Sequence, residues 1–314
     1  MLATRSPRAD QTSRSTYEVV NLGNEFQQFW KAAESKLFEE QITIWNELVE
    51  SPHQDLFDSL VYSKKFVKDW PEKKEKRLRE LFAELPTTFD SNLKVFKSFE
   101  KTLADQIRKY SKKFPDSRFT NKIYAVPGAS FNGKSGELYK SKETVLAFGI
   151  NIMLKIDDDP DVLYSHELFH IYHHNRLNID SKTYDERGRL TLPLWMEGLA
   201  TYVSKEMNPL KGDDKIFMSR ELTRVSQEDI RWLAREFLKN ADAKSFDEAK
   251  PEIYQNWFTY GRQVRRDIPT RAGYLLGYHV ASELGKHHSS YEMAGWDLDR
   301  IHTKVKETLA SMAK

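Results

Sequence analysis

Two histidines and a glutamate stand together in His166-Glu167-Leu168-Phe169-His170, inside the run from Val162 to Tyr172. On an α-helix, positions 166 and 170 are one turn apart on one face, about 5–6 Å between Cβ atoms. Both imidazoles can then reach a single cation at roughly 2.0–2.1 Å. Glu167 lies about 100° further round the helix. There it can stand beside such an ion and take a proton from water without being a ligand itself. Val162, Leu163, Leu168, Phe169 and Ile171 make this a buried helix, where two imidazoles and a carboxylate are costly unless paired or metal-bound.

A catalytic metal site needs a third protein ligand and an open position. The sequence contains no Cys, so thiolate ligation and disulfides are excluded and the ligands must be His, Asp or Glu. Glu197 is the candidate. It is the only charged residue between Leu192 and Val203, and an isolated carboxylate in so apolar a segment needs a cation. The 26 residues from 171 to 196 suffice for one helix to end, a loop to reverse direction and a second helix to return, with small Gly198 and Ala200 allowing close approach. The competing reading of Glu197 is a buried ion pair with an Arg, and of each histidine a satisfied core residue. Two imidazoles and a carboxylate without a thiolate favour one Zn2+ per chain, and Glu197 should then lie within about 4–5 Å of both Nε2 atoms.

His166-Glu167-Leu168-Phe169-His170, followed by Trp195-Met196-Glu197-Gly198-Leu199-Ala200-Thr201-Tyr202, resembles the gluzincin branch of the zincin metallopeptidases. It is most similar to an uncharacterised group of zinc proteases with the same Glu-Gly-Leu-Ala helix. The resemblance covers residues 120–205. It implies His166 and His170 as ligands, Glu197 as the third and Glu167 as general base. His173 and Arg176 stand where a metzincin carries Gly and His, which excludes that branch. The Gly-x-Met-Glu-Asn stretch by which zinc aminopeptidases capture a substrate amine is not matched at Ala147-Phe148-Gly149-Ile150-Asn151, so aminopeptidase specificity is not implied. A zincin-like fold would make Phe148 to Met153 the edge strand along which extended peptides pair.

Peptide hydrolysis also needs a donor for the oxyanion. Tyr274 and Tyr278 lie one helical turn apart in Arg271-Ala272-Gly273-Tyr274-Leu275-Leu276-Gly277-Tyr278-His279, where Gly273 and Gly277 permit close packing. Related peptidases use a Tyr or His from a later helix in this role; core tyrosines are the ordinary alternative, and His279 is read with the same reserve. His173 and His174 read as residues behind the ligands or at the helix end.

The elements that must position these groups follow from periodicity. Phe26, Trp30, Ala33, Leu37, Ile44 and Leu48 recur at helical spacing until Ser51-Pro52, and a second stretch carries Leu56, Leu60, Val61 and Val67 to Trp70-Pro71. A third stripe from Phe96 to Phe114 ends at Pro115. The basic run from Lys64 to Arg79 reads as a solvated helix face. Ile123–Val126 and Thr144–Lys155 are strand candidates, with Asn132-Gly133 as a turn signal. Helical patterning resumes at Val162 and continues to the end, broken by a polar loop near 175–190 and by Pro209 to Asp214.

The expected class is therefore α+β, predominantly helical: a polar tail over 1–22, a helical region over 23–115, a zincin-like metal-binding core with a small β-sheet over 116–210, and a helical region over 211–314 completing the cleft. Forty-nine basic against forty-seven acidic side chains give no field suited to nucleic acid. No apolar run approaches the roughly twenty residues of a membrane span. Residues 1–16 lack a signal peptide's apolar stretch, which leaves a cytoplasmic chain or one exported with its signal already removed. The expected function is zinc-dependent hydrolysis of a peptide or protein substrate, with oligomeric state left open. The alternatives are a zincin-fold scaffold that cleaves nothing and a helical interaction protein whose motif is accidental.

Overall fold

The computed structural model describes residues 16–177, 183 and 186–314. Most of the expected polar loop near 175–190 and residues 1–15 of the expected tail lie outside the described residues. The architecture is α+β and predominantly helical, with one four-stranded sheet. The main buried cluster runs from Leu22 to Leu309 and draws on each of the expected regions, and Phe217, Leu222 and Leu275 form a smaller one. Among the described residues no helix is long and apolar enough to cross a membrane.

The sheet comprises β1 (Glu18–Asn21), β2 (Lys122–Val126), β3 (Gly133–Glu137) and β4 (Thr144–Gly149), in the order β1-β2-β4-β3. β1 and β2 are parallel, as are β2 and β4, whereas β3 runs antiparallel to β4. Three expectations change. Glu18–Asn21, assigned to the tail, is a strand because a partner 104 positions later, Lys122 opposite Glu18, supplies its hydrogen bonds. The strand candidate Thr144–Lys155 ends at Gly149, and Ile150–Lys155 turns into a helix. The stretch from Phe148 to Met153 is therefore not an edge: Phe148 sits on the interior strand β4 with no exposed surface, and the edge on that side is β3.

The N-terminal helices pack as aromatic layers. Gly23–Ala33 and Phe38–Trp45 are separate helices, and the turn between them brings Trp45 edge-on to Phe29 at 5.0 Å. Trp70-Pro71 does not end a helix. It begins a 44-residue helix, Trp70–Lys113, because Pro in the first turn has no N–H to lose. Its buried stripe carries Phe99, which meets Phe148 of β4 at 5.6 Å and Tyr164 at 5.4 Å; Phe148 and Tyr164 are 4.6 Å apart. Tyr164 belongs to the helix Pro160–Leu177, here the motif helix, so three rings lock it to the long helix and the sheet.

Behind the motif helix a buried polar network fixes its rotation. Gln106, fully buried, donates to Asp161. Asn208, at the end of the helix Thr191–Met207 (the glutamate helix), donates to Ser165 Oγ at 2.9 Å. These groups can satisfy one another only in one register, because unpaired buried polar atoms are expensive. The glutamate helix is clamped from its other side by the helix Ala272–Gly285, the tyrosine helix. A Cβ on Gly198 would fall 2.1 Å from the backbone of Gly277, and one on Gly277 would fall 2.3 Å from the Leu194 carbonyl. The smallness of Gly198 thus serves contact with the tyrosine helix and not, as its spacing suggested, with the motif helix.

Candidate metal centre

Asp159 caps the motif helix, its side chain accepting from the Asp161 backbone N–H at 3.0 Å. The helix then carries His166 and His170 on one face, ring centroids 4.6 Å apart. The glutamate helix delivers Glu197 to the same point. Its Oε2 lies 3.2 Å from His166 Nε2 and 3.3 Å from His170 Nε2, and the two Nε2 atoms are 3.0 Å apart. Four tetrahedral ligand atoms at roughly 2.0–2.1 Å from zinc stand about 3.3 Å from one another. The triangle is thus the size that three ligands sharing one ion require, and two imidazoles with a carboxylate suit zinc. His166, His170 and Glu197 form the group able to hold a metal among the described residues.

Electrostatics agree with that use. Burial pushes the His166 ring down to about 4, leaving it neutral with a lone pair to offer. Burial also works against a charge on His170, but Glu197 and Glu167 override it and hold that ring at about 9. Burial would raise Glu197, yet His170 and His166 keep its carboxyl well below the usual range. A cation taken up by this group would compete with the proton that the two carboxylates favour on His170.

Glu167 is 9% exposed, and burial raises its carboxyl to about 7, with His170 opposing and Glu197 reinforcing the shift. Its carboxyl lies against Gly133 at the start of β3: a Cβ there would fall 2.5 Å from Glu167 Cδ and Oε1. Gly133 is itself fixed by Asn132, whose Oδ1 accepts from the Gly133 N–H at 2.9 Å and whose Nδ2 donates to Asp158 at 2.7 Å. Asn132-Gly133, read as a turn signal, is the point where the edge strand meets the carboxylate.

All four groups open onto a cleft of about 880 Å³. β3 from Gly133 to Glu137 lines it, with Met218 beside Asn132 at the start of that strand, and Tyr254, Phe258 and Tyr260 line it as well. Tyr274 lines the cleft, its ring nearly parallel to that of His166 at 6.1 Å. Burial, with the Glu197 charge, holds its phenol well above the ordinary value, so it stays a donor. Tyr278 is not brought to the group. It packs edge-on against Phe217 at 5.1 Å, beside the smaller cluster of Phe217, Leu222 and Leu275, one turn beyond the cleft. His279 lies edge-on to Tyr278 at 5.6 Å and His173 is buried against Phe169, while His174 lines the cleft. Arg271, which no sequence signal singled out, also lines it.

The family model described as "Putative zinc dependent peptidase (DUF5700)" matches residues 72–290, more than half of the chain, and the chain belongs to that family. The match spans the motif helix, the glutamate helix, the sheet from β2 to β4 and the tyrosine helix. No curated protein and no solved structure matches the chain.

Proposed function

We propose that this chain is a zinc-dependent peptidase of gluzincin type in which His166, His170 and Glu197 hold one zinc ion and Glu167 is the general base. The observation that carries the reading is the convergence of three donor atoms, 3.0–3.3 Å apart, from two helices, with 26 residues of chain between His170 and Glu197. A zinc ion held there supplies Lewis-acid polarisation of a peptide carbonyl and lowers the pKa of water.

The remaining steps belong to the side chains. Glu167 accepts a proton from the attacking water as its oxygen bonds to the carbonyl carbon. The C–N bond then breaks as that proton reaches the leaving nitrogen, giving an amine and a carboxylic acid, whose remaining proton passes to the amine or to solvent. Burial raises the proton affinity of the Glu167 carboxyl, which suits it to take the proton and pass it on. Tyr274 donates toward the oxyanion. The free edge of β3 pairs with an extended substrate through main-chain hydrogen bonds, which makes a peptide or protein the substrate class.

The test is digestion of a peptide library by the zinc-loaded protein. Cleavage abolished by a chelator and by Glu167→Gln, with zinc retained in the variant, is the expected result. One zinc per chain with no chelator-sensitive cleavage would instead establish the non-catalytic scaffold.

A further inference from the structure

Arg271 is 4% exposed, yet among the described residues no carboxylate lies within ion-pair distance of its guanidinium. One nitrogen donates to the Tyr260 hydroxyl, and the guanidinium carbon lies 3.9 Å from the Tyr274 ring centroid and 4.7 Å from that of Tyr260. Rings orient a guanidinium without neutralising it. Its charge is felt by Glu197, Glu167 and Asp158 beyond ion-pair distance, and of these Glu197 is the one zinc would claim.

Two costs accompany this placement. Arg271 adopts φ 63°, a left-handed conformation that strains a residue with a Cβ. It also stands at the N-terminus of the tyrosine helix, the positive end of that helix dipole, where a cation is disfavoured. Burial, strain and an opposing dipole act together on one residue, and the buried guanidinium and the helix N-terminus concentrate positive potential in the same part of the cleft. An anion entering there relieves the electrostatic part, and the planar fork matches a carboxylate.

We infer that Arg271 anchors a carboxylate of the substrate, and specifically the C-terminal carboxylate of a peptide, so that the enzyme removes residues from free C-termini. The inference rests on the peptidase reading of the adjacent metal group. Distance supports the assignment: with 3.9 Å from guanidinium carbon to the Tyr274 ring and 6.1 Å from that ring to His166, the guanidinium lies within about 10 Å of the His166 ring. One extended residue spans roughly 3.3 Å, and a guanidinium sits about 4 Å from the carboxylate it binds. The carboxylate held by Arg271 is then within a residue or two of the scissile bond. The cleft lining also carries Tyr254 and Phe258, with Phe258 beside Gly273 at the start of the tyrosine helix, an apolar setting for the side chain of a terminal residue. Hydrolysis of the last peptide bond adds water across it and releases one amino acid.

The test measures binding in zinc-loaded Glu167→Gln protein, where no cleavage intervenes, by calorimetry with an N-acetylated tripeptide ending in Phe as the free acid and as the amide. The free acid should bind at least tenfold tighter, and the gap should fall below threefold when Arg271→Gln is added, with Arg271→Lys intermediate. Equal affinities with Arg271 intact, binding of neither peptide, or a gap that survives Arg271→Gln overturns the inference. A third arm uses the amide with Glu as its last residue. Binding as tight as the free acid would show that an acidic side chain takes the place of the terminal carboxylate and overturn the C-terminal assignment, and weak binding supports it. Cleavage by the unaltered enzyme is scored separately: amidated peptides cut internally as fast as free acids refute this specificity while leaving the peptidase reading in place.

Discussion

Replacing Gly133 with Ala would build a Cβ 2.5 Å from the carboxyl carbon of Glu167. Ordinary contact begins at 3.4 Å, so the carboxylate must retreat by about 0.9 Å or the strand must move as far. A misplacement near 1 Å in a reacting group costs on the order of 10²-fold in rate. No left-handed backbone is involved at Gly133, so the substitution tests the side-chain clash and not strain. Gly136, on the same strand, supplies the control: its added Cβ would meet only Leu60, at 3.6 Å. The assay is kcat on a chelator-sensitive peptide, together with zinc content and Tm. Gly133→Ala should lose about a hundredfold in kcat with zinc retained, and Gly136→Ala should stay within about threefold. Equal kcat for the two alanine variants would refute the claim that Gly133 acts by positioning that carboxylate.

Tyr274→Phe should lower kcat by about 10²-fold with little change in KM, the cost of one oxyanion donor, whereas Tyr278→Phe should leave both near wild type; steady-state kinetics decide. Asp158 is raised by burial from 3.8 to about 6, so the fold favours its protonated form: that stabilisation is complete below pH 4 and is lost as pH rises through 6. Asp158→Asn should therefore add up to about 3 kcal/mol at pH 7.5 and little near pH 4, read by denaturant unfolding at both values, and an equal gain at each would contradict this. Gly277→Ala forces a Cβ to within 2.3 Å of the Leu194 carbonyl, so it should separate the tyrosine and glutamate helices, lower Tm and weaken zinc affinity at least tenfold, measured by competition with a chromogenic chelator.

What the sequence disclosed depended on how local each signal was. His166, Glu167 and His170 lie within five residues, and their spacing alone places them on one helical face. Glu197 was legible because its neighbours are apolar, which marks a carboxylate that solvent does not explain. The edge strand was not: Gly133-Lys134-Ser135-Gly136-Glu137 has little β preference and exists as a strand because β4 offers it a partner. β1 depended likewise on a distant chain segment. Arg271 was hidden among Arg262, Arg265 and Arg266, a charged stretch that reads as surface. One clue was available, a cation directly ahead of the apolar helix Ala272–Gly285, at the end where a dipole favours anions. Tyr274 and Tyr278 could not be separated from sequence, since one turn of helix turns into different surroundings only once the neighbouring helices are in place.

The central claim is that His166, His170 and Glu197 share one ion, and crystallography of the zinc-loaded protein with diffraction on both sides of the zinc absorption edge tests it directly. One anomalous peak per chain, roughly 2.0–2.2 Å from His166 Nε2, His170 Nε2 and a Glu197 carboxylate oxygen, is the predicted result. A zinc peak elsewhere, or none at this triangle under saturating zinc, would contradict the account.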